Sequence, residues 1–144
     1  MGDNNEKLKE FNRLNRKFEG LYHVVARREG LSDSAFIILY ELWDQGDGCL
    51  QKDICDAASI SKQTIHSAMR KLEQAGCLYM KPGKGRQMQI FLTDEGRKLV
   101  EEKILPVSRK EAEAFGELEE EECAEMLRII EKYLEHLDKK IKEL

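Results

Sequence analysis

From residue 5 to residue 28, apolar side chains recur at Leu8, Phe11, Leu14, Phe18, Leu21, Tyr22 and Val25. Steps of three and four place them on one stripe of a long amphipathic helix. Gly30 predicts its end. Leu31-Ser32-Asp33 restarts the chain, with Ser32 or Asp33 able to accept a bond from the free amides of the next helix. Residues 34–45, SAFIILYELWDQ, are apolar on nearly every side, the pattern of a helix enclosed by protein, so this is the expected central core element. Gly46 and Gly48 break that pattern. LQKDICDAA then predicts a short helix that buries Leu50, Ile54 and Ala57 or Ala58 while Lys52, Asp53 and Asp56 face water.

Residues 61–76, SKQTIHSAMRKLEQAG, combine an inward stripe of Ile65, Ala68, Met69 and Leu72 with a polar side too extensive for core. Ser61 is the expected N-cap and Gly76 the stop. Two helices joined by so short a link have the organisation of a helix-turn-helix. CLYM reads as a strand, KPGKGRQ as a basic turn, and MQIFLT as a second strand with Met88, Ile90 and Leu92 on one face, which makes a β-hairpin with a basic tip. Thr93 caps a further helix whose first turn carries Asp94 and Glu95, and Pro106 should bend or interrupt it. From Leu118 onward, Met126, Leu127, Ile130, Tyr133, Leu134, Leu137, Ile141 and Leu144 form a stripe that one helix cannot bury against itself. The acidic run Glu119–Glu122 suits the start of that helix. A second chain offering the same first and last helices is the simplest cover, so a C2 homodimer is expected.

The 144 residues are 41% hydrophobic, enough for one domain with a core. The expected division is an N-terminal dimerisation helix (1–30), a central lobe (31–98) and C-terminal dimerisation helices (99–144). The fold class is mainly α with a small β-wing. Net charge is -4, but it is uneven: -2 over residues 1–49, +4 over 50–98 and -6 over 99–144. Attraction to a polyanion depends on the local field of the docking face, so a basic middle remains compatible with DNA. Cys49, Cys55, Cys77 and Cys123 stand apart without CxxC or zinc spacing and are expected to be small buried hydrophobes; neither metal nor cofactor is expected. No apolar run approaches the roughly 20 residues of a membrane span, and the start has no signal-peptide character, so a cytoplasmic location without a membrane partner is expected.

A helix-turn-helix followed by a two-stranded wing is a winged helix. The SKQTIHSAMRKLEQAGCLYMK segment, the IFLTDEGRKL ending with Leu92, Thr93 and Gly96, and the flanking terminal helices resemble the MarR family of bacterial and archaeal regulators over nearly the whole chain. The resemblance implies a homodimeric, sequence-specific transcriptional regulator, a repressor, on palindromic double-stranded DNA. It also implies that the wing tip enters the minor groove, with Arg86 as the inserted side chain. Lys84 stands where the family usually has the Asp of Asp-x-Arg. The residues themselves agree: a helix in the major groove needs donors and acceptors on its first turns, which Lys62, Gln63, Thr64, His66, Ser67 and Arg70 supply. Gln suits adenine, Arg suits guanine, and Lys62 at the helix start suits a phosphate. Lys81, Lys84 and Arg86 make the wing basic.

Family members often bind small aromatic or phenolic anions in a crevice beside the DNA-binding lobe. By resemblance, Phe18, Tyr22, Phe36, Tyr40 and Trp43 lie on the helices that would line it, with His23 and Arg27 as polar partners; the same aromatics also suit plain core. The family's thiol sensors carry a Cys near the start of the first helix, and this chain has none before Cys49; its three histidines are scattered. Without P-loop, GxSxG or HExxH, an enzyme is not expected. The alternative is a winged helix that contacts proteins only, since fold alone does not fix function.

Overall fold

The computed structural model describes residues 2–144. Its elements run α1 (Gly2–Arg28), α2 (Asp33–Gln45), β1 (Cys49–Leu50), α3 (Gln51–Ala58), α4 (Lys62–Gln74), β2 (Leu78–Pro82), β3 (Met88–Leu92), α5 (Asp94–Lys103), α6 (Leu105–Gly116) and α7 (Glu120–Ile141). The chain divides into two compact units, one ending at Pro106 and the other Val107–Leu144.

In the first unit, α2 is the hub. Its Phe36, Ile38, Leu39 and Leu42 are buried, and it packs against α1, α3, α4, α5 and β3. Ser32 is its cap, accepting from the Ala35 amide at 3.1 Å. Around it close Ile54 of α3, Ile65, Met69 and Leu72 of α4, Leu78, Ile90 and Leu92 of the hairpin, and Val100 and Ile104, all buried. Truncating such a side chain, Leu39→Ala for example, costs about 2–5 kcal/mol.

The sheet is antiparallel in the order β1-β3-β2. Leu78 pairs with Leu92 and Pro82 with Met88, which carries the expected alternation: Ile90 and Leu92 inward, Tyr79 and Phe91 on the opposite face. Pairing extends through Lys81 and Pro82, so the turn is shorter than the basic run suggests. The third strand was not expected. Cys49 and Leu50 pair with Ile90 and Gln89, so Leu50 is extended and half-buried rather than helical. Its amide donates to Asp53 at 3.1 Å, which starts α3 one residue later than the pattern predicts. Ala57 is exposed and Ala58 only half-buried.

The LT-x-x-G segment is a clamp between hairpin and α5. Thr93 Oγ1 donates to the Gly76 carbonyl at 2.5 Å and accepts from the Gly96 amide at 3.0 Å. Position 96 must be glycine, because a Cβ there would stand 1.8 Å from the Cys77 carbonyl oxygen. Asp47, in the link between α2 and β1, adds a brace: its Oδ1 accepts from the Leu92 amide at 3.2 Å and its Oδ2 from Arg97 at 2.7 Å. The helix after Thr93 is interrupted at Ile104, and Pro106 falls in the first turn of α6, where a missing N–H costs no helical bond.

In the second unit, the Glu119 amide donates to Glu122 at 2.9 Å and so starts α7. The acidic run lies in that first turn, where it complements the helix dipole. No residue of α7 is buried. The cysteines differ from expectation: all four are half-buried. Burial, with Asp53 next in importance, pushes the Cys49 thiol up to about 11. Burial also raises Cys55, with Asp56 adding to it, and Cys77, with Glu95 adding to it. Those three thiols are held in the protonated, weakly nucleophilic form.

Candidate nucleic-acid interface

Helix α4 owes its orientation to its inward stripe. Ile65 and Met69 are fully enclosed, Ala68 and Leu72 nearly so, and the opposite side is left to solvent. Ser61 starts the helix by accepting from the Thr64 amide at 3.2 Å, and its hydroxyl also lies 2.8 Å from that of Thr64. Lys62, Gln63, Thr64, His66, Ser67 and Arg70 are all exposed. The structure therefore brings them together on one face.

They are not all independent. Arg70 Nε donates to His66 Nε2 at 3.2 Å, one turn back along the helix. In this contact the Nε2 lone pair of His66 is the acceptor. With Nε engaged, the two terminal nitrogens of Arg70 form its free edge, and that edge suits the paired acceptors of guanine. The Thr64 hydroxyl, shared with the cap, keeps acceptor capacity for one further partner.

The wing brings its cations in different directions. Lys81 Nζ lies 5.5 Å from the Tyr79 ring centre and 5.3 Å from that of Phe91, over a stacked pair 5.3 Å apart. Its charge is held on the outer face of the hairpin. Lys84 and Arg86 are exposed at the tip and, among the described residues, form no hydrogen bond or ion pair. Arg86 instead shares a cleft of about 560 Å³ with Lys52 and Lys62, lined also by Asp56, Cys55 and Gln87. Three cations from α3, α4 and the wing thus face one carboxylate. Lys52 was missed in the sequence as a member of this group; only the β1–β3 pairing carries the head of α3 to the wing.

A second crevice of about 550 Å³ lies between α1 and α2 and is lined also by Ala57 and Ala58 of α3. Phe18, Tyr22, His23 and Phe36 line it, together with Glu19, Asp33 and Glu41, whereas Arg27, Tyr40 and Trp43 are not among its lining residues. Tyr40 packs against Phe36 and Trp43 with ring centres 6.1 and 5.8 Å apart. His23 Nδ1 bonds Asp33 at 2.8 Å, tying α1 to the start of α2. No helix among the described residues is long and apolar enough to cross a membrane.

Comparison with known proteins matches residues 29–87 to the MarR family. A regulator of that family from Neisseria meningitidis has the same fold, with a TM-score of 0.84, 19% identity and coverage of 95% of this chain and 97% of the other. The MepR–DNA complex of S. aureus superposes with a TM-score of 0.70 at 25% identity, covering 90% of this chain and 96% of that one. LexA repressors of Clostridium perfringens are 30% identical over 87 residues. That alignment takes in 59% of this chain, which spans only 41% of their length.

Proposed function

From the match of residues 29–87 to the MarR family and the winged-helix fold, we propose that this chain is a MarR-family transcriptional repressor that binds a palindromic operator as a homodimer, with α4 of each protomer in a major groove. The observation that carries this reading is the exposed polar face of α4 beside the cationic cleft it shares with the wing. Gln63 and Arg70 read base edges, His66 holds Arg70, and Ser67 and Thr64 take a base or a phosphate. Lys62, Lys84 and, from α3, Lys52 neutralise phosphates, while Lys81 has the lesser part because its ammonium rests on two rings. Arg86 enters the minor groove next to the cleft. The apolar stripes of α1 and α7 meet their copies in the partner. The protein binds rather than catalyses, acts in the cytoplasm, and is released by a small aromatic effector held in the α1–α2 crevice.

The test is selection of bound sequences from random duplex DNA with purified protein. An enriched palindrome with half-sites about one helical turn apart is the expected outcome. Salt-dependent binding without enrichment would remove the base-reading roles of Gln63 and Arg70. No salt-dependent binding at all would favour a winged helix that contacts only proteins.

A further inference from the structure

The α1–α2 crevice has the wrong charge for an aromatic acid. The rings of Phe18, Tyr22 and Phe36, with smaller apolar side chains of α1, α2 and α3, supply its apolar lining, and Glu19, Asp33 and Glu41 are its acidic lining residues. Within one chain, no lysine or arginine is among the described residues that line it. Arg27, the natural partner for a ligand carboxylate, lies elsewhere on α1. The basic group that is present, His23, has its Nδ1 committed to Asp33, 2.8 Å from Oδ2 and 2.9 Å from Oδ1.

Even a protonated His23 would cancel only Asp33 and leave Glu19 and Glu41. Glu41 accepts one bond, from the Gln45 amide at 2.9 Å, and a neutral amide brings no compensating charge. An anion entering this space loses hydration and meets like charge. An organic cation gains twice, because carboxylates attract it and aromatic faces present their negative quadrupole to it. Carboxylates, rings and a volume of several hundred Å³ together describe a seat for a bulky monocation rather than for a metal ion or a sugar.

Resting on the reading of this crevice as the effector site, we infer that the effector is a lipophilic organic cation, of the quaternary ammonium or phosphonium class, and not an aromatic acid. Its binding draws Glu19 of α1 and Glu41 of α2 toward one charge, and so couples occupancy to the angle between the first helix and the hub of the lobe.

Tetraphenylphosphonium and tetraphenylborate separate charge from shape, because both carry four phenyl rings on a central atom and differ in sign. Calorimetry on the full-length protein without DNA should show one phosphonium bound per protomer, at least about tenfold tighter than the borate. Glu19→Gln with Glu41→Gln should weaken the cation by about tenfold or more while the thermal midpoint stays in place, and Glu131→Gln on α7 should change nothing. Borate binding as tightly as the phosphonium, or the double variant binding the cation unchanged, overturns the inference. If salicylate binds here and the phosphonium does not, the crevice is still an effector site and only its charge preference has been misread. If neither binds, the effector reading falls as well.

Discussion

Helices α2 and α7 are both rich in leucine and isoleucine at helical spacing, yet their fates in the chain are opposite. α2 buries Phe36, Ile38, Leu39 and Leu42 beneath five neighbours. α7 buries nothing, and its Leu134 and Ile141 are 55% and 56% exposed. α1 sides with α7: Phe18 and Leu21 are 62% and 65% exposed, and only Ala26 is buried. The difference lies in what covers the stripe rather than in the strength of the pattern. The lobe covers its own, whereas the stripes of α1 and of α7 each stay exposed within the chain, and the proposed homodimer is what would cover them. A single chain is therefore a finished lobe with unfinished arms.

The harshest way to break this comparison is to remove an arm. A chain lacking residues 118–144 should become monomeric or aggregate and should lose DNA binding, as read by sedimentation and fluorescence anisotropy. A soluble truncated chain with unchanged affinity would show that the stripe needs no partner. Leu134→Ala sharpens the test, since its effect on thermal unfolding should grow as protein concentration falls if a dimer buries that side chain.

The lobe has its own point of failure, at Gly96. A methyl group there collides with the Cys77 carbonyl, whose oxygen also accepts from the Thr93 amide at 3.1 Å, so hairpin and α5 cannot separate without breaking that bond. Gly96→Ala should cost about 4 kcal/mol or more, at the severe end for one substitution. Denaturant titration gives the number, and the destabilisation should not depend on protein concentration. An alanine variant as stable as the parent would mean the clamp is looser than its geometry implies.

Whatever is local and periodic could be read directly from the residues. The inward stripe of α4, the Ser61 and Thr93 caps, the alternation of Met88, Ile90 and Leu92, and the break near Pro106 all follow from neighbours a few positions apart. Features made by distant pairing could not. A two-residue strand at Cys49–Leu50 has no period, and it exists because Ile90 and Gln89 arrive opposite it. The Asp47 brace joins residues 45 and 50 positions apart. Lys52 resembles any solvated lysine until the fold sets it beside Lys62 and Arg86. The His66–Arg70 bond spans one helical turn and is within reach of the i,i+4 rule, but each residue also suits a DNA contact on its own, which hides the pairing. The sign of the α1–α2 crevice is hidden for a different reason: the rings define the stripe, and the carboxylates beside them look like ordinary solvated charge.

The smallest expected effects separate the two jobs on the polar face of the lobe. Lys62→Ala or Lys84→Ala should weaken binding to operator and random duplex alike and lower the slope of log affinity against log salt by about 0.9 for each phosphate no longer neutralised, because fewer counterions are released. Arg70→Ala or Gln63→Ala should cost roughly 1–3 kcal/mol per half-site on the selected operator and far less on random DNA. His66→Ala should relax the same base pair as Arg70→Ala and add little to it, since the imidazole acts by accepting from Nε rather than by touching a base. In a symmetric dimer each effect is felt at both half-sites, so even a modest one is measurable on a palindrome. Anisotropy on the two duplexes at several salt concentrations reads all of these. If the Gln63 and Arg70 variants shift both duplexes equally, the outer face of α4 holds DNA without reading it. The lobe, for all its self-sufficiency, would then take its specificity from the wing or from DNA shape.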